Sequence, residues 1–152
     1  MIKIVTKTPE ETKEIGERIG KLLEAGSVVC LNGDLGAGKT TLTQSIAKGL
    51  DVDDYVTSPT FTLIKEYEGR YHVNHFDVYR IEDIDEMYDI GYEEYIYSED
   101  VTIIEWASII EEILPKERID INIKKLEKNN EREIAIEIYG DKNKELYKEL
   151  KN

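Results

Sequence analysis

Gly33-Asp34-Leu35-Gly36-Ala37-Gly38-Lys39-Thr40 fits the pattern G-x-x-x-x-G-K-[ST] at every defined position. Glycines at this spacing let main-chain N–H groups close around a polyphosphate, and the start of the following helix adds a favourable dipole. Lys39 should reach the β- and γ-phosphates of a nucleoside triphosphate, and the Thr40 hydroxyl should ligate Mg²⁺. Such a site needs an acid to complete the metal shell. "VTIIEW", Val101 to Trp106, supplies Glu105 at the end of an apolar run. It reads as a Walker B element with Glu in place of the usual Asp. Trp106 beside it reads either as core or as a ligand contact.

Two further stretches hold polar groups that chemistry could use. "HFDVYR", His75 to Arg80, would place His75, Asp77 and Tyr79 on one face of a strand. Asp77 is then a candidate to orient an attacking water or to support the metal through its shell, and Arg80 to meet a phosphate or a neighbouring acid. "TSPTF", Thr57 to Phe61, is a hydroxyl-bearing turn of the kind that senses a γ-phosphate. Each of these, taken alone, would read as a structural histidine, a surface arginine and an ordinary proline turn.

The elements that must position these groups are legible. "SVVCL", Ser27 to Leu31, is a short continuous apolar run, as a strand buried on both faces requires. The helix after the glycine loop carries Leu42, Ile46 and Leu50 at helical spacing. Before them, Thr8 as N-cap, Pro9 as first helical residue and Glu11 as capping-box acid start a helix that carries Ile15, Ile19, Leu22 and Leu23 and stops at Gly26. The turn near Thr8 is the candidate adenine contact, through its closeness to the phosphate strand. "FTLIKEY" and "YHVNHFD" flank "EGR" as an antiparallel hairpin. A short acidic helix is expected around Ile84 to Tyr92, then the strand "VTIIE" and a helix over "WASIIEEIL" stopped by Pro115. Ile119, Ile121 and Ile123, and then Ile134, Ile136 and Ile138, alternate with polar residues on either side of "KNNER" as a second hairpin, and "KNKELYKEL" forms a closing polar helix. In a parallel sheet the strand C-terminal ends gather at the phosphate loop, so Glu105 should lie near Thr40.

The expectation is therefore an α/β fold: a single domain over residues 1–152, with a mixed parallel and antiparallel sheet flanked by helices. No apolar stretch approaches the roughly 20 residues of a membrane span, and the N-terminus has no apolar h-region. One cysteine, Cys30, excludes an intrachain disulfide and reads as a small core residue. These features point to the cytoplasm. The net charge is −13, and Ile81 to Asp100 holds nine acidic residues in a stretch, Arg80 to Lys116, with no intervening Lys or Arg. Such a surface repels phosphodiester backbones. It is either a solvated face or an acidic docking surface for a protein.

In this order and spacing, "GDLGAGKTT", "SPTF", "HFDVYR" and "IIEW" resemble the TsaE (YjeE) family of bacterial ATPases, and "DIGYEEY" resembles that family's "ELGLEEY"-like segment. The resemblance runs from the first helix through Trp106 and implies a P-loop NTPase domain that binds ATP and Mg²⁺. It implies that Thr40 and Glu105 bind the metal, that Asp77 serves catalysis, and that Thr41 belongs to the nucleotide loop with Gly33, Asp34, Leu35, Gly36, Ala37, Gly38, Lys39 and Thr40. It further implies partnership with a TsaB–TsaD complex that installs threonylcarbamoyl on a tRNA adenosine (t6A), with tRNA met only through that complex. The alternatives fit less well. A GTPase needs an NKxD-type guanine reader, and "DKNKEL" in the polar C-terminal helix lacks the Asp. A small metabolite or nucleotide kinase needs several arginines for two phosphate-bearing substrates; the chain has five, and only Arg80 lies in a candidate motif.

Overall fold

The computed structural model describes residues 1–34, 36–59 and 63–151. Its centre is one sheet of seven strands: β1 (Ile2–Thr6), β2 (Val28–Asn32), β3 (Ile64–Glu68), β4 (His72–Asp77), β5 (Val101–Glu105), β6 (Arg118–Lys125) and β7 (Arg132–Tyr139). They lie in the order β1-β7-β6-β2-β5-β4-β3. The central pairs β2–β5, β2–β6 and β4–β5 are parallel. The pairs β3–β4, β6–β7 and β1–β7 are antiparallel, so the mixed sheet read from the sequence is the one found.

Helices cover both faces. On one, α1 (Pro9–Leu22), α2 (Lys39–Gly49) and α5 (Lys144–Lys151) pack on Val29, Leu31, Ile103, Ile119 and Ile121. On the other, the one-turn helices α3 (Asp85–Asp89) and α4 (Tyr92–Ile96) join the 3₁₀ segment Ala107–Ile113 over Val28, Cys30, Phe76 and Ile104. Alternate residues of β2 and β5 thus enter different cores, which is why both strands are apolar without interruption. Cys30 is fully buried there, and burial with the nearby Asp120 carboxylate pushes its thiol up, out of nucleophilic range.

The start of α1 follows the sequence closely. The Thr8 hydroxyl accepts from the Glu11 amide at 3.1 Å, and the Glu11 carboxylate accepts from the Lys7 amide, one residue earlier than in the standard box. α1 and α2 approach closely through glycines: a Cβ on Gly20 would stand 2.1 Å from the Ile46 carbonyl oxygen. Arg70 locks this pair from the β3–β4 turn, donating to the carbonyls of Gly49, Gly20, Lys21 and Leu23.

Two expectations are corrected. The acidic helix expected around Ile84 to Tyr92 is two single turns broken at Gly91, and the second continues to Ile96. The stretch after Trp106 winds as 3₁₀ with a kink at Ile110, because its short span must turn back under the sheet to seat Ala107 and Ile110 in the core. β1 carries no expectation at all, yet Ile2 and Ile4 pair with Ile136 and Ile134 and extend the sheet. The described part of the first hairpin begins with β3 at Ile64; Thr60, Phe61 and Thr62 lie outside the described residues. No helix among the described residues is long and apolar enough to cross a membrane.

Because backbone faces the Gly20 Cβ position, Gly20→Ala must force α1 and α2 apart. It should cost about 1–3 kcal/mol in urea unfolding; an unchanged midpoint would show that the helix pair is not held at this distance.

Candidate functional site

Two features of the sheet put the site together. β2, β5 and β4 run parallel, with Leu31 opposite Glu105 and Glu105 opposite Asp77. The side chains of Glu105 and Asp77 therefore emerge together at the C-terminal edge, where the chain leaves β2 for the glycine loop. The second is α2, whose N-cap is Gly38 and whose first turn has neither a side-chain cap nor an acid. Its free N–H groups and dipole favour an anion.

Between them lies a cleft of about 400 Å³ lined by Gly36, Gly38, Lys39, Thr40, Thr41, Asp77, Tyr79, Glu105 and Trp106. Lys39 is nearly buried, and its ammonium donates to the carbonyls of Gly33 at 2.5 Å and Asp34 at 2.7 Å. Burial lowers its pKa, while Glu105, Asp34 and Asp77 act to raise it. The same ammonium sits 3.9 Å from the centroid of the Trp106 ring, on which Tyr79 rests at 4.7 Å. Trp106 adopts a left-handed backbone (φ 63°) as the chain turns out of β5, and its amide donates to the Leu31 carbonyl. That strained turn aims the indole at the lysine.

Thr40 donates to Glu105 Oε1 at 3.2 Å and shares a 3.0 Å hydrogen bond with the Ser58 hydroxyl. His75 Nε2 lies 2.5 Å from the other oxygen, Oε2, with His75 and Glu105 both buried. Asp77 Oδ1 accepts from the Tyr79 amide. Desolvation raises the Asp77 pKa and the Glu105 charge adds to it, against that amide bond and the attraction of His75 and Lys39.

The structure thus gathers Lys39, Thr40, Thr41, Asp77 and Glu105 with Gly36 and Gly38. Gly33 and Asp34 enter through carbonyls that hold Lys39. Ala37 is buried below the loop, and Leu35 lies outside the described residues. Thr8 stands outside the cluster, its hydroxyl engaged in capping α1. Ser58 joins through Thr40, while Phe61 of the same turn lies outside the described residues. Tyr79, expected on the strand face, follows the end of β4 and reaches the cleft from a turn.

Sequence reasoning missed the contribution of the second hairpin and of one asparagine. Arg132 of β7 donates to the Ala37 carbonyl at 2.9 Å, and Lys125 of β6 brings its ammonium beside Gly36. The Ile123 carbonyl packs so tightly on Gly33 (φ 155°) that a Cβ would come within 2.4 Å. Asn32 Oδ1 accepts from the Ser108 amide, tying the root of the loop to the turn after Glu105. Only the position of "KNNER" at the end of a strand parallel to β2 gives a sequence signal for this support.

The raised Asp77 pKa has a stability consequence. Between the ordinary value of 3.8 and the higher folded value, the folded chain holds a proton that the unfolded chain has lost. Stability from this group is therefore greatest at low pH and falls as Asp77 ionises. Asp77→Asn, which keeps the acceptor for Tyr79, should raise the melting temperature at pH 7, with the advantage vanishing below pH 3.8. An equal or lower melting temperature at pH 7 would contradict this account.

Comparison with known proteins gives a consistent answer. Residues 6–134 match the family model described as threonylcarbamoyl adenosine biosynthesis protein TsaE. A relative in Bacillus subtilis (strain 168), named tRNA threonylcarbamoyladenosine biosynthesis protein TsaE, is 47% identical over 146 residues, covering 95% of this chain and 90% of its own. One of the same name in Treponema pallidum (strain Nichols) is 39% identical over 135 residues, covering 89% and 99%. The crystal structure of Bacillus subtilis YdiB superposes with a TM-score of 0.79 at 41% identity, over 99% of this chain and 93% of that one. The mixed seven-stranded sheet is that of a P-loop NTPase, and the chain belongs to the TsaE family.

Proposed function

We propose that this chain binds and hydrolyses ATP with Mg²⁺ in the cleft around Lys39 and Thr40, as an accessory to a TsaB–TsaD complex in the t6A modification of tRNA. The observation that carries the reading is the convergence of Lys39, Thr40, Asp77 and Glu105 at the uncapped start of α2, in a chain of this family.

The donors present suit Mg²⁺. Glu105 Oε1 and the Thr40 hydroxyl are hard oxygens side by side, and Ser58 adds a third. Mg²⁺ takes few protein ligands and completes its shell with phosphate and water. In keeping with that, no group of three or more His, Cys, Asp or Glu among the described residues forms a cage of its own. When bound, an ion held by Thr40 and Glu105 would neutralise charge developing on the phosphates.

The chain's own groups supply the rest. Lys39 exchanges the Gly33 and Asp34 carbonyls for phosphate oxygens, a trade a cation in a low-dielectric cleft favours. The first-turn amides of α2 hold the phosphates in place. Asp77, fixed through Oδ1, keeps a second oxygen to accept a hydrogen bond from the attacking water. The edge near Thr8 is the side proposed for the base; what supports it is that Thr6 pairs with Arg132, whose guanidinium holds the loop at Ala37.

A kinase has few free cations here. Arg18, Arg70 and Arg132 donate to main-chain carbonyls, and Arg118 to Asp120. Arg80 alone of the five arginines is exposed in a motif beside the cleft. The acidic surface from Ile81 to Asp100 is a poor contact for tRNA, which leaves the partners to hold it.

ATP turnover should be slow for the isolated chain and rise when TsaB and TsaD are added. Lys39→Ala and Glu105→Ala should each lower it by about 100-fold or more. Asp77→Ala should slow turnover by about 100-fold while sparing most of the nucleotide affinity. Normal hydrolysis by Glu105→Ala would refute the metal assignment, and phosphoryl transfer to a small acceptor would replace the ATPase reading with the kinase.

A further inference from the structure

His75 is buried within the sheet, two residues before Asp77, with no role in the cleft itself: it does not line the cavity. On β4 it sits opposite Ile103, on the face of the sheet that carries Glu105, and its ring reaches along the strands to Glu105 Oε2. We propose that His75 is a positioning residue for Glu105: by holding Oε2 it fixes the carboxylate so that Oε1 is the oxygen presented to Thr40 and to the metal. The inference rests on the metal reading of the preceding section.

Three observations support it. The two oxygens of Glu105 have divided partners, Oε1 with Thr40 at 3.2 Å and Oε2 with His75 at 2.5 Å. The only other hydrogen bond to Oε2 among the described residues comes from the Ser58 hydroxyl at 3.5 Å, too long to hold the group by itself. His75 Nδ1 is buried with no hydrogen-bond partner among the described residues. A proton there would be an orphaned donor, so the proton belongs on Nε2, where the carboxylate accepts it. Without that donor, a carboxylate 2% exposed would keep only the long Ser58 contact at that oxygen and would rotate toward the nearer donor, Thr40.

A purely structural histidine would make the same bond, so the test must separate metal presentation from stability. Glutamine places its amide nitrogen near the position of Nε2; asparagine is one methylene shorter and places it near Nδ1. The measurement is calorimetric binding of a non-hydrolysable ATP analogue, AMP-PNP, across a Mg²⁺ titration and again in EDTA, with thermal unfolding of each variant. His75→Gln should keep the wild-type Mg²⁺ midpoint. His75→Asn and His75→Leu should raise it by about 10-fold or more, while affinity in EDTA stays at the wild-type level. An unchanged midpoint in Asn and Leu, with only the melting temperature lowered, overturns the proposal, as does equal weakening in Gln and Asn. Should Asn and Leu fail to fold, ¹⁵N NMR of the wild-type imidazole decides: the Nε2–H tautomer is required and the Nδ1–H tautomer overturns it. A wild-type chain whose AMP-PNP affinity ignores Mg²⁺ would instead overturn the metal reading, a result separate from either outcome for His75.

Discussion

A carboxylate sealed at the end of the central parallel strands is the constraint on which the site depends. Glu105 has almost no contact with solvent, so each oxygen needs a donor, and the donors come from three separate parts of the chain: Thr40 of α2, Ser58 of the following turn and His75 of β4. Satisfying one buried charge therefore sets where α2 begins, how β4 registers on β5, and how close the Ser58 turn comes. The groups that a polyphosphate and a hard cation need are neighbours for the same reason.

Around that carboxylate the glycine loop is held from both sides. Asn32 joins its root to the turn after β5, and Arg132 and the Ile123 carbonyl press on it from the β6–β7 hairpin. Lys39, folded back on the loop's own carbonyls and under Trp106, satisfies the cation while giving the loop internal hydrogen bonds. Under the proposed ATP binding, exchange of those carbonyls for phosphate oxygens would move the ammonium relative to the Trp106 ring. Tyr79 rests on that ring half-exposed, and so connects the interior of the cleft with the surface.

The two faces of the sheet divide the work. α1 and α2 pack through glycines and the Arg70 clamp into a rigid backing for the loop. The opposite face carries two single-turn helices whose exposed positions are acidic apart from Tyr88 and whose Met87, Tyr92 and Ile96 fill the second core. Short helices have little stability of their own and depend on those buried side chains.

Much of this was written in the local sequence. Gly33 to Thr40 reads as an anion-wrapping loop from its sequence, because glycine spacing, lysine and hydroxyl are all local requirements. The cap at Thr8, the hairpins and the apolar strands are likewise set by neighbours within a few residues, and their described parts stand where the patterns placed them, except that α1 ends at Leu22, short of the expected Gly26. β1 was not legible, because an edge strand of five residues is defined by pairing with β7, more than a hundred residues away. Neither was the 3₁₀ winding after Trp106, which depends on what the core leaves room for. The sequence could name Glu105 as an acid at a strand end and His75 as a histidine on a strand. That these two meet, and that Arg132 and Asn32 brace the loop, was decided only by tertiary structure. Burial makes those partnerships obligatory, and burial is a property of the folded chain as a whole.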